Sequence, residues 1–289
     1  ISSAGAGPAI SLIKYFNSRG IGVVSTDINE NAAGLHLSKG YLVPKISDPL
    51  FVGRIVEIAE NEKVDLIIPI LDIELEKFHE IRSLTKIPVA INSKDCIGAC
   101  LDKRKSLDMC RLGKINFAKE INPKTYIGKF IGRPCYGTGS RGVIVSDSPI
   151  SGTVPENYIW QEFIEGQEYS IDMYKNTMFA PRKRVLVKDG QTVVGESDFD
   201  SKIVEFAKKC ANVFRMSDAS CLQAIKSNNK LYFVEMNPRY GTGVSLGIES
   251  GMDFPMAQLN DYCGLNYKLN ENVKDGLKMI RYYKEIYCG

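Results

Sequence analysis

Two oxygen-bearing side chains stand two positions apart late in the chain, where apolar and polar residues alternate. Glu235 and Asn237 end the run that begins with the strand-like segment 231–235. Residues i and i+2 of a strand face the same side, so a carboxylate and an amide would point at one place. Such donors suit Mg²⁺, which binds a few protein oxygens together with phosphate oxygens. Arg239 could reach a γ-phosphate there, although Pro238 predicts that the strand ends before it. The alternative to a metal site is an edge strand on which Glu235 and Asn237 are solvated.

A third donor precedes this pair on a second strand-like segment, 221–225. The turn residues 227–230 connect the two segments and predict a β-hairpin. Such a hairpin can bring Gln223 opposite Glu235. Three oxygen donors next to Arg239 favour a metal site over a solvated strand edge.

A glycine-rich loop between two other strand-like segments has the composition of an anion cradle. Glycines permit positive φ and a close approach of the backbone, and exposed N–H groups with flanking arginines attract anions. The loop is neither a Walker A loop nor a Rossmann loop, because GxxxxGK[ST] is absent and strands stand on both sides. A plain hairpin turn is the alternative. The residues concerned are Arg133, Gly137, Gly139, Ser140, Arg141 and Gly142.

The elements that must position these residues fall into two patterns. The first third alternates helices with short apolar strands, which predicts βαβ units and a parallel sheet. The remainder is rich in strands with period-2 alternation. The segments are helices at 10–16, 49–61, 94–112 and 200–214, and strands at 23–26, 66–70, 88–91, 129–132, 143–145, 158–161 and 169–174.

Composition excludes several classes of protein. The 289 residues are 44% hydrophobic and 25% charged, as in ordinary globular proteins. The net charge of +3 is too small to predict a nucleic-acid-binding surface, and no apolar run reaches the ~18 residues of a membrane span. The eight cysteines form no CxxC pair and predict reduced packing residues in a cytoplasmic protein. No signal peptide is visible, and the start at Ile1 predicts that an N-terminal strand is shortened or left out.

Four motifs in order carry a family resemblance: RPCYGTGSRGV, WQEFIEGQEYSIDMY, LQAI and YFVEMNPRYGTG. With them, the chain resembles the ATP-grasp superfamily, in its carbamoyl-phosphate-synthetase-like (large-subunit-like) branch. The opening SSAGAGPAISLIKYF is similar to the family's pre-ATP-grasp domain. The resemblance implies an α/β fold with a Rossmann-like pre-ATP-grasp domain at 1–95 and an ATP-grasp domain at 96–289. The latter would contain a small lid subdomain at about 117–161 and a C-terminal antiparallel α+β subdomain.

The resemblance also implies ATP and Mg²⁺ (or Mn²⁺) as cofactors. Lys103 and Arg133 would contact phosphate, and Gly137, Thr138, Gly139 and Ser140 would lie in the flap over the β- and γ-phosphates. Glu162, Phe163 and Ile164 would form the hinge beside adenine, and Glu168 would hold the ribose. Gln223, Glu235 and Asn237 would bind the metal, and Arg239 would neutralise the transferring phosphoryl group. His36 and His79 match no part of this chemistry.

One departure concerns the lid. Only six residues separate Tyr126 from Arg133, where the family has a longer helical segment. The lid is therefore either reduced or incomplete in this sequence.

Two further arginines lie on a strand that would border the active site in this family. Arg182 and Arg184 would face one side together, and arginine suits a carboxylate or phosphate. The hypothesis is that one of them binds the acyl substrate or the γ-phosphate. The alternative is a solvated run of charge.

The predicted activity is an ATP-dependent carboxylate ligase, in which an acyl phosphate forms and an amine, thiol or other nucleophile captures it. A half-size carbamoyl-phosphate-synthetase-like subunit acting on bicarbonate and a non-catalytic ATP-binding module are the alternatives. The expected partners are small molecules, with no nucleic acid and no membrane. A homodimer is possible by family resemblance, although no residue indicates one.

Overall fold

The computed structural model describes residues 1–137, 141–268 and 272–288. Its first part alternates helices with extended segments, as the sequence predicts. The elements are α1 (Gly7–Ser18), β1 (Val24–Asp27), α2 (Ala33–Leu37), β2 (Lys39–Leu42), α3 (Leu50–Asn61), a 3₁₀ turn (Asp72–Glu74) and α4 (Leu75–Leu84).

The extended segments of this part lie side by side in parallel. β1 pairs with β2, and backbone hydrogen bonds join segment 1–4 to β1 on one side and to segment 66–70 on the other. Ile67 in turn forms a parallel bridge with Val89 of segment 88–91. The strands predicted at 66–70 and 88–91 are thus extended, but isolated bonds rather than a regular ladder hold them. The predicted Rossmann-like arrangement is confirmed.

The single helix predicted over 94–112 is in fact two helices, α5 (Lys94–Leu101) and α6 (Lys103–Leu112). Asp102 separates them with an extended backbone, and its side chain accepts a hydrogen bond from Arg104 N at 2.9 Å. An aspartate that caps a new helix competes with continuation of the old one, which explains the break.

Helix α5 joins the two halves of the molecule. Its Ile97 packs in the core of the first part of the chain. Cys96 and Cys100 pack in a second core, which lies under the six-stranded sheet described below. The domain boundary predicted between 95 and 96 therefore falls inside a helix that belongs to both cores, and it stays a prediction.

A small antiparallel sheet occupies the region predicted to be the lid. Its strands are β3 (Phe130–Pro134), β4 (Ile144–Ser146) and β5 (Tyr158–Glu162), in the order β4-β3-β5. The described residues between 117 and 161 include no helix. Trp160 is a packing residue: its ring lies where a Cβ on Gly132 would come within 2.2 Å, so only glycine fits at position 132.

A six-stranded antiparallel sheet forms the rest of the molecule, in the order β10-β9-β6-β7-β8-β11. The hairpin predicted from the turn residues is β9–β10. The strands are β6 (Gln167–Tyr174), β7 (Met178–Lys188), β8 (Gln191–Ser197), β9 (Ala219–Ser227), β10 (Lys230–Asn237) and β11 (Lys278–Ile280), with helices α7 (Ser201–Val213), α8 (Val244–Glu249) and α9 (Phe254–Cys263).

The period-2 alternation gives this sheet two different faces. One face is apolar and packs against α5, α6 and α7, with Ile171, Leu222 and Phe233 fully buried in that core. The opposite face carries the polar side chains predicted for the site. Burial of each large apolar side chain contributes about 1.5–3 kcal/mol, so the apolar face anchors the sheet and leaves the polar face for ligands.

All eight cysteines are free, and six of them are buried. The six buried cysteines agree with the prediction of packing residues, whereas Cys263 is partly exposed and Cys288 is exposed. Within the described ranges, no helix combines the length and apolar character needed to cross a membrane.

Candidate active site

The three predicted metal donors lie together at one end of the polar face. Glu235 on β10 is directly opposite Gln223 on β9. Asn237 Nδ2 donates to Glu235 Oε1 at 3.2 Å, which confirms that residues 235 and 237 share a side. The carboxylate and the two amides are therefore neighbours, as the sequence predicts.

A β-bulge is what brings Glu235 opposite Gln223. The turn residues Asn228 and Asn229 have φ values of 47° and 61° and set Ser227 opposite Lys230. Regular pairing from that turn would place residue 234 opposite Gln223. The register shifts between 233 and 235, and this extra residue turns Glu235 onto the polar face.

The small sheet β4-β3-β5 contributes a contact to this bulge. Arg133 on β3 donates from Nη1 to the carbonyl of Val234, the bulged residue, at 3.1 Å, and from Nη2 to Gln161 Oε1 at 2.7 Å. Burial lowers the pKa of Arg133, while the nearby charge of Glu235 opposes that effect. Arg133 thus stands beside the donor cluster, where the resemblance predicts a phosphate contact.

Lys103 begins α6 and reaches toward the same place. Its Nζ donates to the carbonyl of Gly137 at 3.0 Å, at the entry of the glycine-rich loop. Burial lowers the pKa of Lys103, and the charge of Glu235 opposes the effect. Gly137 has a φ of 118°, which favours glycine. The predicted flap residues Thr138, Gly139 and Ser140 lie outside the described residues.

Arg184 links the donor cluster to the predicted ribose residue. Its Nη1 donates to Gln223 Oε1 at 2.9 Å and its Nη2 to the carbonyl of Gly190 at 2.9 Å. Its Nε lies 3.4 Å from Glu168 Oε2, and the Glu168 side chain is 53% exposed. Arg184 is therefore no part of a solvated run, and Glu168 remains open to a ligand.

The predicted role of Arg182 in binding the acyl substrate or the γ-phosphate requires a correction. It is 2% exposed and forms an ion pair with Asp172, which is equally buried. The glycines at 241 and 243 let the backbone lie directly on this pair, since a Cβ on Gly243 would come within 2.4 Å of Arg182 Nε. A guanidinium sealed in this way has no free surface for a substrate, so Arg182 has a structural role. The solvated alternative is equally wrong for it.

The predicted adenine hinge crosses from β5 to the large sheet. The N–H groups of Glu162 and Phe163 donate to the carbonyls of Lys119 and Lys129, at 2.9 and 3.0 Å. The Lys129 ammonium lies 4.3 Å from the centroid of the Phe163 ring. The hinge is thus fixed by its own backbone, and Ile164 follows it, half-buried. Its contact with adenine stays a prediction.

Arg239 connects the donor cluster to the first part of the chain. Its Nη2 donates to Asn237 Oδ1 at 3.2 Å and to Asp72 Oδ2 at 2.8 Å. The sequence analysis did not identify Asp72. A signal was available, because Asp72 stands two positions after the end of segment 66–70. Ligands of parallel α/β sheets bind at the carboxyl ends of the strands.

A second missed residue is Arg281, which follows β11. Its Nη2 donates to the carbonyl of Thr242, and its Nη1 lies 3.8 Å from the point a Cβ on Gly7 would occupy. Burial lowers the pKa of Arg281, and the charge of Arg182 lowers it further. Its Nε is buried without a partner. No local pattern in the sequence marks this residue.

These contacts make a site suited to a polyphosphate and one divalent cation. Lys103, Arg133, Arg184 and Arg239 surround a donor set with a single carboxylate, Glu235. The described chain holds no cluster of three His, Cys, Asp or Glu side chains that would bind a metal unaided. The donor set fits Mg²⁺, which keeps phosphate oxygens among its ligands, and excess positive charge would favour the phosphates.

Two family models match this chain. One, described as the PylC-like N-terminal domain, matches residues 1–90. The other, described as ATP-grasp in the biosynthetic pathway with Ter operon, matches residues 155–284, which include the donor cluster and Arg239. The segment 155–284 belongs to the ATP-grasp superfamily. The resemblance read from the four motifs is confirmed for the superfamily, and the carbamoyl-phosphate-synthetase-like branch stays a prediction.

Solved structures with this ATP-grasp fold are similar over nearly the whole chain. The biotin carboxylase of Campylobacter jejuni is 16% identical, with a TM-score of 0.71 over 94% of this chain and 72% of that one. The biotin carboxylase domain dimer of Hydrogenobacter thermophilus 2-oxoglutarate carboxylase, with MgADP and bicarbonate, is 16% identical, with a TM-score of 0.70 over 94% and 71%. N5-carboxyaminoimidazole synthetase of Staphylococcus aureus, with ADP, is 13% identical, with a TM-score of 0.70 over 94% and 77%. At these identities the likeness establishes the fold.

One curated relative is an uncharacterised protein of Methanocaldococcus jannaschii, 25% identical over 157 residues. That match covers 50% of this chain and 41% of the relative. This chain thus spans less than half of the relative's length.

Replacing Arg184 with alanine should lower turnover by about 10- to 100-fold, with a change of less than about threefold in the dissociation constant for ATP. The reason is that Arg184 holds Gln223 Oε1 in the donor cluster, whereas most phosphate contacts would come from other cations. Steady-state kinetics and nucleotide titration measure the two quantities. Lys188→Ala, an exposed change near the end of the same strand, is the control. Unchanged turnover in Arg184→Ala would remove this role.

Proposed function

We propose that this ATP-grasp chain is an ATP- and magnesium-dependent ligase. It transfers the γ-phosphate to a substrate carboxylate, and an amine, thiol or other nucleophile then attacks the acyl phosphate. The observation that carries the proposal is one cluster on the polar face of the six-stranded sheet. It joins three oxygen donors to two arginines and lies beside two further cations. The donors are Gln223, Glu235 and Asn237, the arginines are Arg184 and Arg239, and the further cations are Lys103 and Arg133.

Each group has a task in this reaction. Gln223, Glu235 and Asn237 would hold Mg²⁺, which when bound offsets the charge of the phosphates. Lys103 and Arg133 would bind phosphate oxygens from the lid side, and Arg239 would stabilise the charge that spreads over the transferring phosphoryl group. Phosphoryl transfer depends chiefly on such positioning and electrostatic stabilisation.

The acyl substrate would enter beyond Arg239. Arg281 is the candidate for this place, because it contacts Thr242, three residues after Arg239, and lies near the start of α1. No carboxylate of the described residues pairs with it. An arginine without an acidic partner attracts an anion. Closure of the lid would exclude water, because the acyl phosphate is otherwise lost to hydrolysis.

The experiment that tests the proposal is ADP release with Mg-ATP across a panel of amino acids, hydroxy acids and bicarbonate, each with and without amines and thiols. Bicarbonate belongs in the panel because a half-size carbamoyl-phosphate-synthetase-like activity is the alternative. Magnesium omission is the control. Stimulation by one acid and one nucleophile would support the ligase and identify its substrates.

The chemistry of the intermediate can be tested separately. A carboxylate labelled with ¹⁸O should transfer one labelled oxygen to the released phosphate, since that oxygen bridges carbon and phosphorus in an acyl phosphate. Hydroxylamine should divert the product to a hydroxamate. Release of AMP and pyrophosphate would show an acyl adenylate and would overturn the mechanism. Tight ATP binding with no ADP release under any condition would instead favour a non-catalytic module.

A further inference from the structure

We propose that Asp72, in the first part of the chain, is a positioning residue that fixes the guanidinium of Arg239 for its contact with the γ-phosphate. The inference rests on the proposed function, because it concerns the same site. It makes the first part of the chain a determinant of phosphate recognition rather than a separate scaffold.

The geometry of the pair supports this role. Asp72 is 6% exposed, and its Oδ2 accepts from Arg239 Nη2 at 2.8 Å. Its Oδ1 is buried and has no hydrogen-bond partner in the described chain. Burial opposes the charge on Arg239, but the carboxylate of Asp72 raises the pKa of Arg239 above its ordinary value. Burial of a charged carboxylate is costly unless it is paired, and Arg239 is the one hydrogen-bond partner of the Asp72 side chain among the described residues.

The position of Asp72 is itself fixed from within the first part. Glu74, in the same 3₁₀ turn, is 7% exposed and accepts hydrogen bonds from Ser2 Oγ at 2.8 Å and from Ser3 Oγ at 2.6 Å. It also accepts from Leu71 N at 3.2 Å. These bonds tie the turn to the loop before α1, so Asp72 cannot shift without breaking them.

The backbone beside Arg239 is held from the same part of the chain. Asn92 is fully buried, and its Nδ2 donates to the carbonyl of Pro238 at 3.2 Å while its Oδ1 accepts from Asp218 N at 3.0 Å. Arg239 is therefore anchored at its backbone through Asn92 and at its guanidinium through Asp72.

The hydrogen bonds of Arg239 leave capacity for an anion. A guanidinium has five N–H donors. Three are used, by Asp72 Oδ2, Asn237 Oδ1 and the carbonyl of Tyr240. Two remain among the described contacts. Without Asp72, the guanidinium would gain rotational freedom that it must lose again when phosphate binds, which weakens recognition of the γ-phosphate.

The test compares the affinities for the magnesium complexes of ADP and of the non-hydrolysable β,γ-imido analogue of ATP, by calorimetric titration. This readout needs no acyl substrate. The wild type should prefer the triphosphate, and Asp72→Ala should reduce that preference by about 10-fold while the affinity for ADP stays within about twofold. Asp72→Asn keeps an oxygen acceptor for Arg239 and should recover part of the preference. Glu76→Ala, an exposed change in the first turn of α4, is the control.

A double-mutant cycle with Arg239→Ala distinguishes action through Arg239 from a general effect, because alanine leaves Asp72 no side chain to position. If Asp72 acts through Arg239, Asp72→Asn should have almost no further effect in the Arg239→Ala protein. Asp72→Asn is the variant to use if Asp72→Ala does not fold. Additive effects would overturn the inference, as would equal losses of ADP and triphosphate affinity, or an unchanged preference in both Asp72 variants.

The outcome for the wild type separates this inference from the proposed function. A wild type that binds neither nucleotide overturns the proposed function and the inference with it. A wild type that binds both nucleotides equally overturns the contact of Arg239 with the γ-phosphate. A wild type that prefers the triphosphate, with variants that prefer it equally, leaves the function standing and removes only the role of Asp72.

Discussion

Replacing Glu235 with glutamine should reduce magnesium-dependent ADP release by about 100- to 1,000-fold, a loss of about 2.7–4 kcal/mol of transition-state stabilisation. Glu235 is the single carboxylate of the donor set and stands next to two amides, Gln223 and Asn237. Glutamine keeps the size and one oxygen but removes the charge that attracts the cation.

The variant should still bind ATP when magnesium is absent. Glu235 opposes the positive charge of Lys103 and Arg133, so its neutralisation leaves a more positive site for free ATP. ADP release measured against magnesium concentration, with nucleotide titration in a chelator, tests both statements. Glu196→Gln is the matched control, because Glu196 lies on β8 and pairs with Lys183. Wild-type magnesium dependence in Glu235→Gln would remove the metal role.

Replacing Arg182 with alanine should lower the free energy of unfolding by about 3–5 kcal/mol. Arg182 and Asp172 are each 2% exposed, and the loop with Gly241 and Gly243 covers them. Removal of the arginine leaves a buried carboxylate without its counter-charge, which costs far more than loss of a surface ion pair. Urea-induced unfolding followed by circular dichroism measures the change.

Two controls test the reason for this loss. The double replacement Arg182→Met with Asp172→Asn removes both charges and should restore part of the lost stability. Lys183→Ala removes a half-exposed partner of Glu196 and Asp198 and should change the free energy of unfolding by less than about 1 kcal/mol. An Arg182→Ala protein that has wild-type stability but impaired turnover would contradict the structural role and would indicate that Arg182 binds the substrate.

The sequence predicted the parts of the molecule that depend on local patterns. α3, α7 and most strands lie within a few residues of their predicted positions, because periodicity and turn residues act over short stretches of chain. The break at Asp102 was missed, since a capping aspartate within an amphipathic run differs from a solvated one only in its surroundings.

The arginines of β7 illustrate a different limit. Alternation correctly put Arg182 and Arg184 on one face of the strand. It could not distinguish them, because each environment depends on distant segments. Gly243 approaches Arg182 closely, whereas Gln223 on β9 accepts from Arg184. The same residue type at the same spacing therefore has a structural role at one position and borders the site at the other.

The sequence by itself determined that Glu235 and Asn237 share a side, because a strand repeats every two residues. Only the tertiary structure decided that Gln223 faces Glu235, since the hairpin turn alone gives a register one residue away and the bulge corrects it. The pairing of Asp72 with Arg239, 167 positions apart, likewise arises only when the first part of the chain packs against the sheet. Local spacing fixes which way a side chain points, whereas long-range packing fixes what it meets.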